Sequence, residues 1–123
     1  MAKIIGLGGI FFQSSNPEKL REWYKEVLGL HSESWGAIFP FQENEPGYQV
    51  WSVFPKDSKY YEPSKSPFMI NLRVDDLDAY LEEIKAKNVT LVGDPDSGEF
   101  GKFAWILDPD GNKLELWEPP KKE

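Results

Sequence analysis

A chain of 123 residues, 40% hydrophobic and 15% aromatic, can fill one core and leaves no room for two large independent domains. Its 14 Lys and Arg against 21 Asp and Glu give a formal net charge of −7, which makes nucleic acid and anionic membrane surfaces poor partners. With no cysteine, disulfides, thiolate nucleophiles and zinc-thiolate sites are excluded, and a lone histidine, His31, cannot build a multi-histidine site within one chain.

The first stretch, "IIGLGGIFFQ", is a short apolar strand, too short to span a bilayer and without a signal-peptide cleavage pattern, so a soluble cytoplasmic protein is expected. The strand ends at "SSNPEK", where Asn16 can cap a helix that carries Pro17 and Glu18 in its first turn. Leu20, Trp23, Tyr24, Val27 and Leu28 then recur at helical spacing as one buried stripe, and Gly29 stands where a left-handed C-terminal residue is wanted. Three strands are expected next, "HSESW", "AIFPF" and "YQVWSVF", separated by Gly and Pro. "KDSKYYEPSKSP", polar and with two prolines, reads as a connector.

After the connector the plan repeats. "FMINLRV" is a strand, "DDLDAYLEEIKAKN" a capped helix with Leu77, Tyr80, Leu81 and Ile84 on one face, and "VTLV", "KFAWIL" and "KLELWE" three more strands. An offset of 60 sets Ile10 on Ile70, Asn16 on Asp76 and Tyr24 on Ile84, and in the last strands an offset of 64 sets Gly47 on Gly111. Element order, cap and turn glycine agree, so each half is read as βαβββ: a module at 1–55, a connector at 56–67, a module at 68–119 and a polar tail at 120–123. One helix covers one face of each sheet, and the other two faces can curl around a shared cavity. The expected class is α+β.

Strand alternation then sorts the side chains. Ile70, Leu72, Val74, Leu114 and Leu116 cover the helix, so Met69, Asn71, Arg73, Lys113, Glu115 and Trp117 face the cavity. In the first half Ile10 and Phe12 go to the helix, leaving Phe11, Gln13 and Trp51 inside. Trp105 can take either face, because the length of the turn before the last strand is not fixed. Asp108 and Gly111 of "DPDGN" suit that turn; the stretch also resembles the start of a calcium loop, but Lys113 stands where the loop glycine belongs.

"REWYKEVLGL", "VDDLDAYLEEI" and "DPDGNKLELWEP", with the strands between them, resemble the vicinal oxygen chelate superfamily of glyoxalase I, extradiol dioxygenases, fosfomycin-resistance enzymes and bleomycin-resistance proteins. The resemblance implies the paired βαβββ fold and a homodimer, and it places the family's metal-ligand positions at Gly9, Trp51, Met69 and Glu115. Of these only Glu115 offers a hard donor, whereas a catalytic divalent ion needs about three protein ligands. The expectation is therefore a binding protein with no metal and no cofactor. An aromatic or cationic small molecule would lie among Phe11, Gln13, Trp51, Met69, Asn71, Arg73, Glu115 and Trp117, with Arg73 as the partner of Glu115. The alternative is a glyoxalase-like lyase or isomerase that uses Glu115 as general base.

Overall fold

The computed structural model describes Ile10 and residues 14–37 and 57–120. The expected strands at 4–13, 37–41 and 48–54 lie largely or wholly outside the described residues, and so do Phe11, Gln13 and Trp51.

Helix α1 spans Pro17–Leu28. Asn16 caps it by accepting a hydrogen bond from the Lys19 N–H, and Gly29 ends it in the left-handed conformation (φ 74°). Its buried residues are Leu20, Tyr24 and Leu28, the centre of the expected stripe, with Trp23 and Val27 packed at the margin. "HSESW" is not a strand. Glu33 and Gly36 exchange backbone hydrogen bonds around a tight turn, with Trp35 at its tip 68% exposed, because Gly36 (φ 144°) lets the chain reverse before a strand can extend.

The second half follows the expected order with one addition. Strand β1 (Ile70–Arg73) leads to α2 (Leu77–Lys85), then β2 (Thr90–Leu91), β3 (Asp96–Gly98), β4 (Gly101–Leu107) and β5 (Lys113–Glu118). β2 and β3 both pair antiparallel with β4, so they are one edge strand interrupted at Gly93 and Pro95, where the proline has no N–H to give a ladder. The order β1-β5-β4-β2 runs without returning to β1: the sheet is curled and unclosed, in an α+β architecture. β1 lies parallel to β5, and β4 antiparallel to it.

Both helices pack on one side of this sheet. Leu20, Tyr24 and Leu28 of α1 and Leu77, Leu81 and Ile84 of α2 share a cluster with Ile70, Ala104, Ile106, Leu114 and Leu116. Ile106, Leu114 and Leu116 are fully buried, each contributing about 1.5–3 kcal/mol relative to exposure. Ile10, expected against the helix, is instead 44% exposed; among the described residues the apolar stripe of α1 is taken up by the second-half sheet and α2.

Polar contacts fix the layers. Tyr80 Oη donates to the Leu28 carbonyl at 2.6 Å, joining the helices. α2 is capped twice: Asp76 accepts from the Ala79 N–H, and Glu118 at the end of β5 accepts from the Leu77 N–H at 2.7 Å. Among the described residues no helix is long and apolar enough to cross a membrane.

Candidate functional site

The face of the sheet opposite the helices is set by register. Across β1, β5 and β4, Asn71 stands beside Glu115 and Glu115 beside Trp105; one pair further along, Arg73 stands beside Trp117 and Trp117 beside Phe103. Lys113 faces Leu107 at the other end of the row. The turn from Asp108 to Asn112 decides this arrangement. Asp108 Oδ1 accepts from the backbone N–H groups of Asp110 and Asn112, and Gly111 takes φ 81°. With that turn length Trp105 falls on the same face as Glu115.

Glu115 is buried, and three donors from three segments converge on its carboxylate. Asn71 Nδ2 donates to Oε1 at 2.7 Å from β1. Trp105 Nε1 donates to Oε2 at 2.8 Å from β4. Tyr60 Oη donates to the same oxygen, reaching in from the segment that follows residue 56. All three donors are uncharged, so among the described residues the carboxylate is held by hydrogen bonds and not by an ion pair.

Tyr60 is positioned by a short polar fold of its own. Its N–H bonds Ser58 Oγ, turns follow at Glu62 and Ser64, and Ser66 Oγ donates to Asn112 Oδ1 at 2.7 Å, pinning the segment to the β4–β5 turn. Burial, then the hydrogen bond to Glu115, pushes the Tyr60 phenol well above its ordinary pKa. Tyr60 as a residue nonetheless stays 37% exposed.

Lys113 completes the group. Its ammonium lies 4.9 Å from the centre of the Tyr60 ring and 5.7 Å from that of Trp105, and it donates to the Tyr60 carbonyl oxygen. Burial lowers its pKa below the usual lysine value, opposed by the charges of Glu115 and Glu62. Beyond it the wall is aromatic. Trp105, Phe103 and Trp117 lie nearly parallel in a row, Phe103 at 6.4 Å from Trp105 and 6.3 Å from Trp117 between ring centres. Trp117 is 3% exposed and donates its indole hydrogen to the Phe100 carbonyl at 2.8 Å.

Of the four family ligand positions, Met69 and Glu115 are described; a thioether is a soft ligand, and both Glu115 oxygens already accept hydrogen bonds. Among the described residues no three His, Asp or Glu side chains come together in a group able to hold an ion. In the "DPDGN" turn, Asp108 accepts from Tyr24, Asn112 and two backbone N–H groups and serves as the turn's organiser.

The structure thus brings Asn71, Glu115 and Trp117 to one wall, as alternation indicates, with Arg73 in the same row. It does not pair Arg73 with Glu115: the parallel register sets Asn71 opposite Glu115 and moves Arg73 along to Trp117. Tyr60, Phe103, Trp105 and Lys113 are members that sequence reasoning left out of the site. For Lys113 the alternation already pointed inward; for Tyr60, inside a polar connector, no periodic signal exists. Two open surface depressions, about 390 Å³ beside His31 and Trp35 and about 520 Å³ beside Lys102 and Pro119, do not include Glu115.

Comparison with known proteins adds the following. The family model described as Glyoxalase/Bleomycin resistance protein/Dioxygenase superfamily matches residues 6–116. The crystal structure of TnmS3, an antibiotic binding protein from Streptomyces sp. CB03234, is similar at 26% identity and a TM-score of 0.52, covering 86% of this chain and 88% of that one. A member of the same superfamily from Sphaerobacter thermophilus DSM 20745 is similar at 25% identity and a TM-score of 0.52, covering 85% and 90%. A further structure, described as a conserved domain protein, reaches a TM-score of 0.61 at 13% identity over 94% of this chain and 100% of that one, a likeness of fold alone. No curated protein matches the sequence.

Proposed function

Because the chain belongs to the Glyoxalase/Bleomycin resistance protein/Dioxygenase superfamily, we propose that it is a small-molecule-binding protein which holds an aromatic or cationic ligand without a metal ion. The observation that carries this reading is the Glu115 carboxylate, held by the uncharged donors of Asn71, Trp105 and Tyr60 beside a row of three aromatic rings. A fixed carboxylate orients a ligand through a hydrogen bond, and the flat rings supply contact area. The likeness to an antibiotic binding protein supports the same class of activity.

Arg73 and Lys113 stand in the same row as Glu115, so a purely cationic ligand meets repulsion, and an aromatic ligand with a hydrogen-bond donor is the better match. Met69, Asn71, Arg73, Glu115 and Trp117 belong to the proposed site, and the sequence register adds Phe11, Gln13 and Trp51 to it as expected ligand contacts. On this reading the chain is one domain of two modules, 1–55 and 68–119, and works as a homodimer in the cytoplasm.

Tryptophan fluorescence tests the proposal. Titration with a panel of aromatic metabolites and antibiotics should give saturable quenching that a chelator leaves unchanged. Quenching that appears only with added nickel, manganese or iron overturns the metal-free reading.

The same carboxylate supports a second reading, a glyoxalase-like lyase or isomerase with Glu115 as general base and Asn71 or Arg73 polarising the substrate. Glu115→Gln separates the two. A binder keeps most of its affinity, whereas a base-dependent enzyme loses turnover by about 100-fold or more.

A further inference from the structure

Tyr60 occupies the candidate site in the manner of a ligand. Its hydroxyl donates to Glu115 Oε2, the Trp105 ring meets it edge-on with centres 6.2 Å apart, and the Lys113 ammonium covers its face at 4.9 Å. A residue placed only to fill the core would be sealed from water, yet Tyr60 as a whole is 37% exposed. It also arrives on an irregular segment held by serine hydroxyls and turns, not by a sheet ladder. Such a segment opens at lower free energy than the strands beneath it.

We infer that the Tyr60 side chain is an internal stand-in for the ligand, and that the pocket it fills takes phenols, planar rings bearing a hydroxyl. This inference rests on the small-molecule-binding reading above and names the ligand class for that site. When the segment lifts, Glu115 keeps its bonds from Asn71 and Trp105 and loses one donor, which an incoming aryl hydroxyl replaces. An arene without a hydroxyl leaves that acceptor position without its Tyr60 partner, and one bearing an anionic group meets Glu115 itself. Lys113 and Trp105 hold the ring from its face and its edge, a geometry that a flat aromatic satisfies and an aliphatic alcohol does not. Tyr60 therefore sets the threshold for binding, since every ligand competes with it at an effective concentration fixed by its tether.

The probe is p-cresol, the tyrosine side chain as a free molecule, compared with toluene, which has the same shape and lacks the hydroxyl. Binding is followed by the indole N–H resonance of Trp105 and by tryptophan fluorescence. Tyr60→Ala should bind p-cresol about tenfold or more tightly than the wild type does, and should prefer it to toluene by about tenfold or more, the worth of one hydrogen bond to a carboxylate. Adding Glu115→Gln to that variant should shrink the preference. If Tyr60→Ala does not fold, Tyr60→Phe decides: its ring leaves no hydrogen bond behind, so p-cresol should bind about tenfold more tightly than to the wild type. Equal binding of p-cresol and toluene, or no gain over the wild type in the folded variant, overturns the phenol inference. Neither result touches the small-molecule-binding reading, which stands or falls on the wild-type chain's response to the wider aromatic panel.

Discussion

Tyr24 of α1 donates its phenolic hydrogen to Asp108 Oδ2 at 2.9 Å, a bond across 84 positions of sequence that ties the first helix to the turn between β4 and β5. Asp108 also fixes that turn, and the turn fixes which strand residues face Glu115. One buried carboxylate thus links helix packing to site geometry.

Removing the Tyr24 hydroxyl should cost little and removing the Asp108 carboxylate much more. In Tyr24→Phe, Asp108 keeps three other donors, so the loss is that of one hydrogen bond, about 1–2 kcal/mol. In Asp108→Ala, the Tyr24 hydroxyl and the Asn112 N–H and side-chain amide are left buried together, and the loss should exceed about 3 kcal/mol. Urea unfolding of both variants gives the comparison; equal losses would mean that the turn holds its shape without Asp108.

Stability should fall on the alkaline side. Burial, then the charge and hydrogen bond of Asp108, raises the Tyr24 pKa above its ordinary value, and burial, then the charge of Glu83, raises that of Tyr80 to about 12. Above pH ~10 the unfolded chain releases phenolic protons that the folded chain retains. The unfolded state then binds fewer protons, so stability is complete below pH ~10 and is lost as pH rises, by up to about 1.4 kcal/mol per pH unit for each such phenol. For Tyr80 the window closes near pH 12. Lys113 acts in the opposite sense: its folded pKa is lowered, so it adds stability as pH rises toward its unfolded value of about 10.5. Melting temperature against pH should turn downward above pH ~10.5, and Tyr24→Phe should flatten that limb.

Much of this architecture can be read from the residues. Asn16 and Asp76 as caps, Gly29 as the helix end and the stripe of Leu20, Tyr24 and Leu28 are local signals, and α1 and α2 follow them. Alternation likewise sets Leu114 and Leu116 against Lys113, Glu115 and Trp117. What is not local is not legible. The face of Trp105 depends on a turn length set by Asp108, and the partner of Glu115 depends on a parallel register that moves Arg73 two residues away. Tyr60 belongs to a polar segment with no period at all, and its place over Glu115 exists only once β4 and β5 are paired.

Lys113 should matter more to the segment above it than to the whole fold. Its ammonium contributes a hydrogen bond to the Tyr60 carbonyl and contacts with two rings, offset by the cost of its partial burial. Lys113→Met keeps the apolar stem and removes both terms, so global stability should change by no more than about 1 kcal/mol. Hydrogen exchange across residues 58–66 should nevertheless speed up, because one anchor of the segment is gone. Unchanged exchange there would show that the serine contacts hold Tyr60 unaided.

Two glycines with positive φ should respond differently to alanine. Gly29 (φ 74°) ends α1 with open space around the position of an added Cβ, so Gly29→Ala should cost only the left-handed backbone penalty, about 1 kcal/mol. Gly101 (φ 113°) begins β4 where an added Cβ would overlap the Glu118 carbonyl oxygen and come within 3.1 Å of Trp117 Nε1. Backbone cannot move aside as the tip of a side chain can, so Gly101→Ala must part the ends of β4 and β5, at a cost above about 3 kcal/mol. It should also disturb the indole bond from Trp117 to Phe100 that closes the aromatic row. Thermal unfolding gives the two losses, and the tryptophan emission spectrum reports whether Trp117 has gained water; a blue-shifted, unchanged spectrum in Gly101→Ala would place the strain elsewhere.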